Sequence, residues 1–125
     1  MFEVSEELKA LSDSVIAEFA EFKPIADSNC RIAYLYCDKE KTSNGKKVYA
    51  DTTKVNDKTK TLANADFIIT FYKQTCAALS EEKMRILMRH ELKHIGAKDG
   101  KFKIIPHDVE DFFDIIEKHG MNWII

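Results

Sequence analysis

The sequence predicts an α+β fold in a single domain that spans residues 1–125. Three stretches carry apolar residues at helical spacing, and three short runs rich in β-formers lie between the first and the second of these stretches. A length of 125 residues also suits one hydrophobic core. We therefore expect an N-terminal helix, a small and mostly antiparallel three-stranded sheet, a second long helix and a C-terminal helix.

The first helix is predicted over residues 5–22. Its apolar residues recur on one face: Leu8, Leu11, Val15, Ile16, Phe19 and Phe22. Ser5 is placed to cap its N-terminus, and Pro24 is expected to end it. This pattern is typical of a helix that packs against a core, and we assign no chemistry to it.

The three strands are predicted at residues 31–37, 47–53 and 66–72. Asn44-Gly45 is a strong turn signal between the first two runs, so we expect them to form a hairpin with a longer loop. We predict neither a helix nor a strand for the polar stretch 54–65.

The second helix is predicted over residues 81–95. Ser80 provides an N-cap, acidic side chains at Glu81 and Glu82 suit the first turn, and Gly96 is placed to end the helix. A turn and a short extended segment follow. Residues 109–118 then predict the C-terminal helix, and the apolar tail 121–125 is expected to return to the core.

Composition narrows the function classes. The net charge is −2 and the pI about 6.1, which argues against a broad nucleic-acid-binding surface. No apolar run is long enough to cross a bilayer, and the N-terminus lacks the pattern of a secretory signal. The three cysteines, Cys30, Cys37 and Cys76, form no CxxC pair and are expected to be buried thiols in a reducing cytoplasm.

The stretch HELKH, residues 90–94, raises the main functional question. On a helical wheel Glu91 falls near the middle of the apolar arc rather than on the wet face, where a surface helix normally keeps a carboxylate. A carboxylate directed into a core is costly unless something compensates it. One alternative is an ordinary helix in which Glu91 forms a buried ion pair.

A metal site explains this placement. His90 and His94, at positions i and i+4, stand one above the other on a helix and can reach the same ion. Zn2+ bound there would lower the pKa of a water molecule towards neutrality, and Glu91 would take its proton as the general base.

A catalytic zinc needs about three protein ligands. We choose His107 as the third, with Asp111 as the main competitor and Asp108 as a weaker one. Both aspartates also have structural explanations at the start of the C-terminal helix: Asp108 as its N-cap and Asp111 as a capping-box acid. His119 precedes Gly120 in the last turn of that helix, where it suits the helix dipole, and receives a structural role.

Three segments together resemble a known family: HELKHIG at residues 90–96, PHDVEDF at 106–112 and ADFIITF at 65–71. The chain resembles the phage metallopeptidases, small single-domain proteins related to the SprT-like zinc metalloproteases of the zincin superfamily. The resemblance implies a minimal zincin-like fold and a zinc-dependent endopeptidase acting on peptides or proteins. It implies His90 and His94 as ligands, Glu91 as base and His107 as the downstream ligand.

The resemblance also implies a phage or prophage source, and hence the host bacterial cytoplasm. In related zincins the substrate lies along an edge strand, for which residues 66–72 are the candidate. The alternative function is a catalytically silent, zincin-like protein-binding module with a structural metal site. The presence of Glu91 argues against it, because a structural site needs no base. A third and weaker hypothesis is that the chain is a nucleic-acid adaptor.

Overall fold

A mixed four-stranded sheet forms the centre of the fold, with helices packed against one of its faces. The computed structural model describes residues 1–98 and 101–106. The helices are α1 (Glu6–Glu18), α2 (Lys23–Asp27), α3 (Asp57–Ala63), α4 (Lys73–Cys76) and α5 (Glu81–Leu92), and a 3-10 turn lies at Ala20–Phe22. The strands are β1 (Phe2–Val4), β2 (Ile32–Cys37), β3 (Thr42–Ser43), β4 (Lys46–Lys47), β5 (Ala50–Lys54), β6 (Phe67–Tyr72), β7 (Ile95–Gly96) and β8 (Lys103–Ile104).

The order of strands in the central sheet is β1-β2-β6-β5, so the predicted number of three strands is wrong, whereas the sheet is mostly antiparallel as predicted. β2 and β6 run parallel, whereas β1 and β5 pair antiparallel with their neighbours. β1 is only three residues long, too short for a periodic pattern to mark it. The mixed helix-and-sheet composition agrees with the predicted class.

β6 lies inside the sheet, so the prediction that it is the substrate-binding edge is wrong. Phe67, Ile69 and Phe71 are fully buried towards the helices, while Thr70 and Tyr72 on the opposite face are only 5% and 7% exposed. A strand buried on both faces shows a nearly continuous apolar run, and β6 has that composition. The edges of the described sheet are β1 and β5.

The Asn44-Gly45 turn forms, but it joins shorter strands than expected. Asn44 (φ 54°) and Gly45 (φ 77°) both have positive φ, as a two-residue type I′ turn requires, and they connect β3 to β4. The longer runs β2 and β5 do not pair with each other, because β6 lies between them. The turn was therefore identified correctly, and the pairing of the two predicted strands was wrong.

The first helix is capped as predicted but ends early. The Ser5 hydroxyl accepts a hydrogen bond from the backbone N–H of Leu8 at 3.1 Å. α1 stops at Glu18, because Phe19 is extended. Pro24 does not end this helix; it lies in the first turn of α2, where its missing N–H leaves no helical hydrogen bond unmade.

The polar stretch after β5 contains a helix that periodicity does not reveal. α3 is capped by the Asn56 side chain, which accepts from the Thr59 N–H at 2.8 Å, and it ends at Asn64 in a left-handed conformation. None of its residues is buried, so it has no apolar face to produce a pattern.

α5 begins as predicted, with the Ser80 hydroxyl accepting from the Lys83 N–H at 3.2 Å. It ends at Leu92, and Lys93 is its C-cap. The prediction that Gly96 ends the helix is wrong, because Gly96 lies in β7 and pairs antiparallel with Lys103 of β8. This small hairpin turns the chain back towards the end of α5.

The hydrophobic core joins α1, α5 and the helix-facing side of the sheet through residues such as Leu8, Val15 and Met88. The three cysteines are unpaired, and Cys37 and Cys76 are buried as expected, whereas Cys30 is only half-buried. No helix in the described part of the chain is long and apolar enough to cross a membrane. The predicted helix at 109–118 and the tail 121–125 lie outside the described residues.

Candidate metal centre

The last turn of α5 and the turn after it bring three potential ligand groups together. One ligand atom from each of His90, Glu91 and His94 lies within 4.8 Å of the others. The two imidazole rings are 5.5 Å apart between centroids and inclined by 82°. The helix ends before His94, but the His94 N–H still bonds to the Glu91 carbonyl at 3.0 Å. The chain therefore keeps a near-helical path, and both rings remain on one side.

Glu91 is buried, as the helical wheel predicts. It is 3% exposed and lies among buried apolar residues of α5 such as Leu87 and Met88. The Thr52 hydroxyl of β5 donates to the carboxylate Oε1 at 2.8 Å and also lies 3.3 Å from the Glu91 carbonyl oxygen. Desolvation raises the pKa of Glu91 to about 7; the bond from Thr52 opposes this and the charge of Asp51 adds to it.

The chain after α5 orients His94. The His94 Nδ1 lies 2.9 Å from the backbone carbonyl oxygen of Ile105, and the Ile105 N–H donates to the His94 carbonyl at 2.6 Å. A carbonyl only accepts, so Nδ1 is the nitrogen that carries the proton, and Nε2 carries the lone pair that a metal requires. A backbone carbonyl in this position is a common support for a metal-binding histidine.

Gly96 allows the β7–β8 hairpin to approach closely enough for this contact. A Cβ atom at position 96 would lie 2.9 Å from the Lys103 Cγ and 3.2 Å from the Ile105 Cγ1. Any larger residue would therefore displace the Lys103 and Ile105 side chains of the segment that holds the Ile105 carbonyl against His94. The glycine is required by this close approach and not by the end of the helix.

A second polar group lies on β5 and β6, on the face of the sheet opposite the helices. The Tyr72 hydroxyl donates to the Asp51 Oδ2 at 2.6 Å, and the Lys41 ammonium lies 2.7 Å from the same oxygen. Burial, the hydrogen bond to Asp51 and nearby negative charges raise the pKa of Tyr72, which is 7% exposed. Tyr72 is thus a buried, neutral side chain.

No spacing in the sequence points to Thr52 or to the Ile105 carbonyl. Thr52 is separated from Glu91 by 39 positions, and a threonine in a strand is ordinary for its β-propensity. His107, Asp108, Asp111 and His119 lie outside the described residues. The described chain reaches Pro106, directly after the residue that contacts His94.

The sequence matches one protein family over almost its whole length. The family described as "Putative phage metallopeptidase" matches residues 1–124. No curated protein and no solved structure is significantly similar to the chain.

Proposed function

The chain belongs to the phage metallopeptidase family, and we propose that it is a zinc-dependent peptidase with His90 and His94 as ligands and Glu91 as general base. The observation that carries this proposal is the burial of Glu91 directly between two histidines. Folding places this carboxylate, 3% exposed, among apolar side chains with one hydroxyl donor. Such an unfavourable position is typical of a residue retained for function.

The donor set fits Zn2+. Two imidazoles on one side of a helix end, one of them oriented by a backbone carbonyl, match the nitrogen ligands that zinc prefers. A bound zinc ion would polarise the peptide carbonyl and make a water molecule more acidic. The Glu91 carboxylate, next to these histidines, takes the proton of the attacking water and delivers it to the departing amine.

We propose His107 as the third ligand. Ile105 contacts His94 through both its N–H and its carbonyl, and His107 follows only two residues later in the sequence. Asp108 is one residue further along the chain and Asp111 four. These two aspartates remain the alternative third ligands, and the sequence pattern favours Asp111 over Asp108.

We propose β5 as the strand along which an extended peptide substrate lies. β5 is an edge of the described sheet, and its Thr52 contacts Glu91. Tyr49 and Val55, at the two ends of β5, form backbone hydrogen bonds towards β6. The alternating pattern of an antiparallel ladder then directs the N–H and C=O groups of Ala50, Thr52 and Lys54 outwards. Pairing along this edge gives affinity with little sequence preference.

We further propose that the protein acts in the cytoplasm of a bacterium that carries the phage or prophage. Three unpaired cysteines are consistent with a reducing compartment.

The test combines metal content with proteolysis. Wild type and Glu91→Gln are purified without chelator, bound metal is determined by elemental mass spectrometry, and each protein is incubated with unfolded casein. We expect one zinc per chain in both proteins and cleavage only by the wild type. Zinc in both with cleavage by neither would favour the silent binding module. A folded protein without metal would overturn the proposal.

The third ligand is tested with a matched pair of histidine variants. His107→Ala is expected to lose zinc affinity by at least about tenfold, whereas His119→Ala should retain it. Equal retention in both variants would exclude His107, and Asp111→Ala would then be measured in the same way.

A further inference from the structure

A groove lies at the opposite end of α5 from the metal centre. It has a volume of about 840 Å³ and is bounded by β1, the first turns of α1 and α5, and α4. Glu81 lines it, and His90 is nine residues further along the helix, a separation of about 14 Å along the axis. The groove is therefore distinct from the metal centre.

The floor of the groove is apolar. Its side chains belong to or pack against the main hydrophobic core and are half-buried or buried: Leu11, Tyr36, Cys76, Leu79 and Met84. A depression of this kind can remove apolar side chains of a ligand from water.

The rim of the groove is acidic. Glu3, Glu6, Glu7 and Glu81 line it and are exposed. Glu3 lies 3.7 Å from the Lys73 ammonium, but the other three carboxylates form no ion pair within the described residues. The second cation of the lining, Arg85, is directed away, towards Glu18 and the Ser14 hydroxyl. The rim therefore favours a cationic ligand.

β1 borders this groove with a strand edge that no other strand of the described residues covers. The bonds from Ser5 N–H to the Tyr34 carbonyl, at 2.9 Å, and from Asp38 N–H to the Met1 carbonyl, at 3.2 Å, show that the odd-numbered residues face β2. Phe2 and Val4 therefore direct their N–H and C=O groups away from the sheet. Their side chains are 60% and 75% exposed. Such an edge can accept a further strand.

We propose that the β1 edge and the groove together bind an extended basic segment of a partner protein. The segment adds a strand to β1, places alternate apolar side chains on the floor of the groove, and directs lysine or arginine side chains to Glu6, Glu7 and Glu81. A partner held here would leave the metal centre accessible.

Charge excludes two other occupants. A second copy bound by two-fold symmetry would bring the same carboxylates against this rim. The segment 109–118 carries Glu110, Asp111, Asp114 and Glu117 against one lysine, so it would also be repelled.

The probe is a short synthetic peptide of alternating lysine and valine, with a glutamate–valine peptide as its control. Binding to the full-length protein is measured by fluorescence anisotropy and by amide shifts in a ¹H–¹⁵N NMR spectrum. We expect saturable binding of the lysine peptide, shifts at Phe2 and Val4, weaker binding at high salt, and no binding of the glutamate peptide. Absence of binding by the wild type, or shifts confined to β5, would overturn the proposal.

A matched pair of charge reversals locates the contact. Glu81→Lys should weaken binding by about tenfold or more, whereas Glu82→Lys, adjacent on the same helix turn but outside the groove, should not. Equal losses would indicate nonspecific attraction and overturn the site. Should Glu81→Lys fail to fold, Glu81→Gln provides the same comparison with a smaller change.

Val4→Pro tests the strand addition. It removes the outward N–H of Val4 without removing a donor to β2, and proline is tolerated at an open strand edge. We expect a loss comparable to that of Glu81→Lys. Unchanged peptide binding by a folded Val4→Pro variant would overturn the proposed strand addition to β1.

Discussion

Asp66 and Glu91 are equally inaccessible, each 3% exposed, but their surroundings differ in kind. Asp66 accepts a hydrogen bond from the Arg31 backbone N–H at 2.8 Å, and the Lys60 ammonium lies 2.7 Å away. Burial alone would raise the pKa of Asp66, but these bonds and the Arg31 guanidinium outweigh it and hold the pKa at about 2. Asp66 is thus a charged residue that ties β2 and α3 to the start of β6.

Glu91 has one side-chain donor in the described part of the chain, the neutral hydroxyl of Thr52. Its pKa is accordingly raised, to about 7, with burial as the largest cause. A carboxylate that stabilises the fold is surrounded by donors and cations, whereas one placed for chemistry is left incompletely compensated. The difference supports the proposed role of Glu91 as the functional carboxylate of the two.

The largest expected effect is on activity. Glu91→Gln should reduce casein cleavage by about 10²–10⁴-fold, the usual contribution of a general base. The free energy of unfolding of the metal-free protein, measured with urea, should not fall, because the substitution removes an incompletely compensated charge. A large loss of stability would show that Glu91 is structural, as Asp66 is.

For Asp66→Asn, in contrast to Glu91→Gln, we expect a loss of stability. The free energy of unfolding should fall by about 2–3 kcal/mol, because the substitution removes the charge that Lys60 and Arg31 compensate. Asp13→Asn, at an exposed ion pair with Lys9, serves as the matched control and should change stability by less than about 1 kcal/mol. Equal effects in the two variants would contradict the structural role of Asp66.

The pH dependence of stability follows from the same residue. The folded-state pKa of Asp66, about 2, lies below its ordinary value of 3.8. The contribution of Asp66 to the free energy of unfolding is therefore present above about pH 4 and is lost as the pH falls towards 2. The loss should be about 2 kcal/mol. Urea unfolding of the wild type and of Asp66→Asn across this range measures it. A parallel decline in both proteins would assign the loss to other groups.

The smallest effect is expected at Thr52. Thr52→Val should lower kcat by about tenfold, since it removes a hydrogen bond to a charged group, and should leave KM and zinc content unchanged. Thr52→Ser keeps the hydroxyl and should restore kcat. A serine variant as slow as the valine variant would show that Thr52 acts by packing and does not position Glu91.

The parts of the fold that the sequence predicts correctly depend on local geometry. The caps at Ser5 and Ser80 and the Asn44-Gly45 turn involve residues within four positions of one another, so composition and spacing suffice. The strand order does not follow in this way. The turn at Asn44-Gly45 suggested that its neighbouring runs pair, whereas the apolar strand β6 separates them.

The candidate site likewise has features that follow from local sequence and features that depend on long-range contacts. By itself, the sequence determined the HELKH spacing and the apolar placement of Glu91, because both follow from helical periodicity along one short segment. Only the tertiary structure decided that Thr52, 39 positions away, donates to Glu91, and that the Ile105 carbonyl, 11 positions away, orients His94. These contacts depend on how strands and helix ends pack against one another, and one-dimensional spacing does not contain that information.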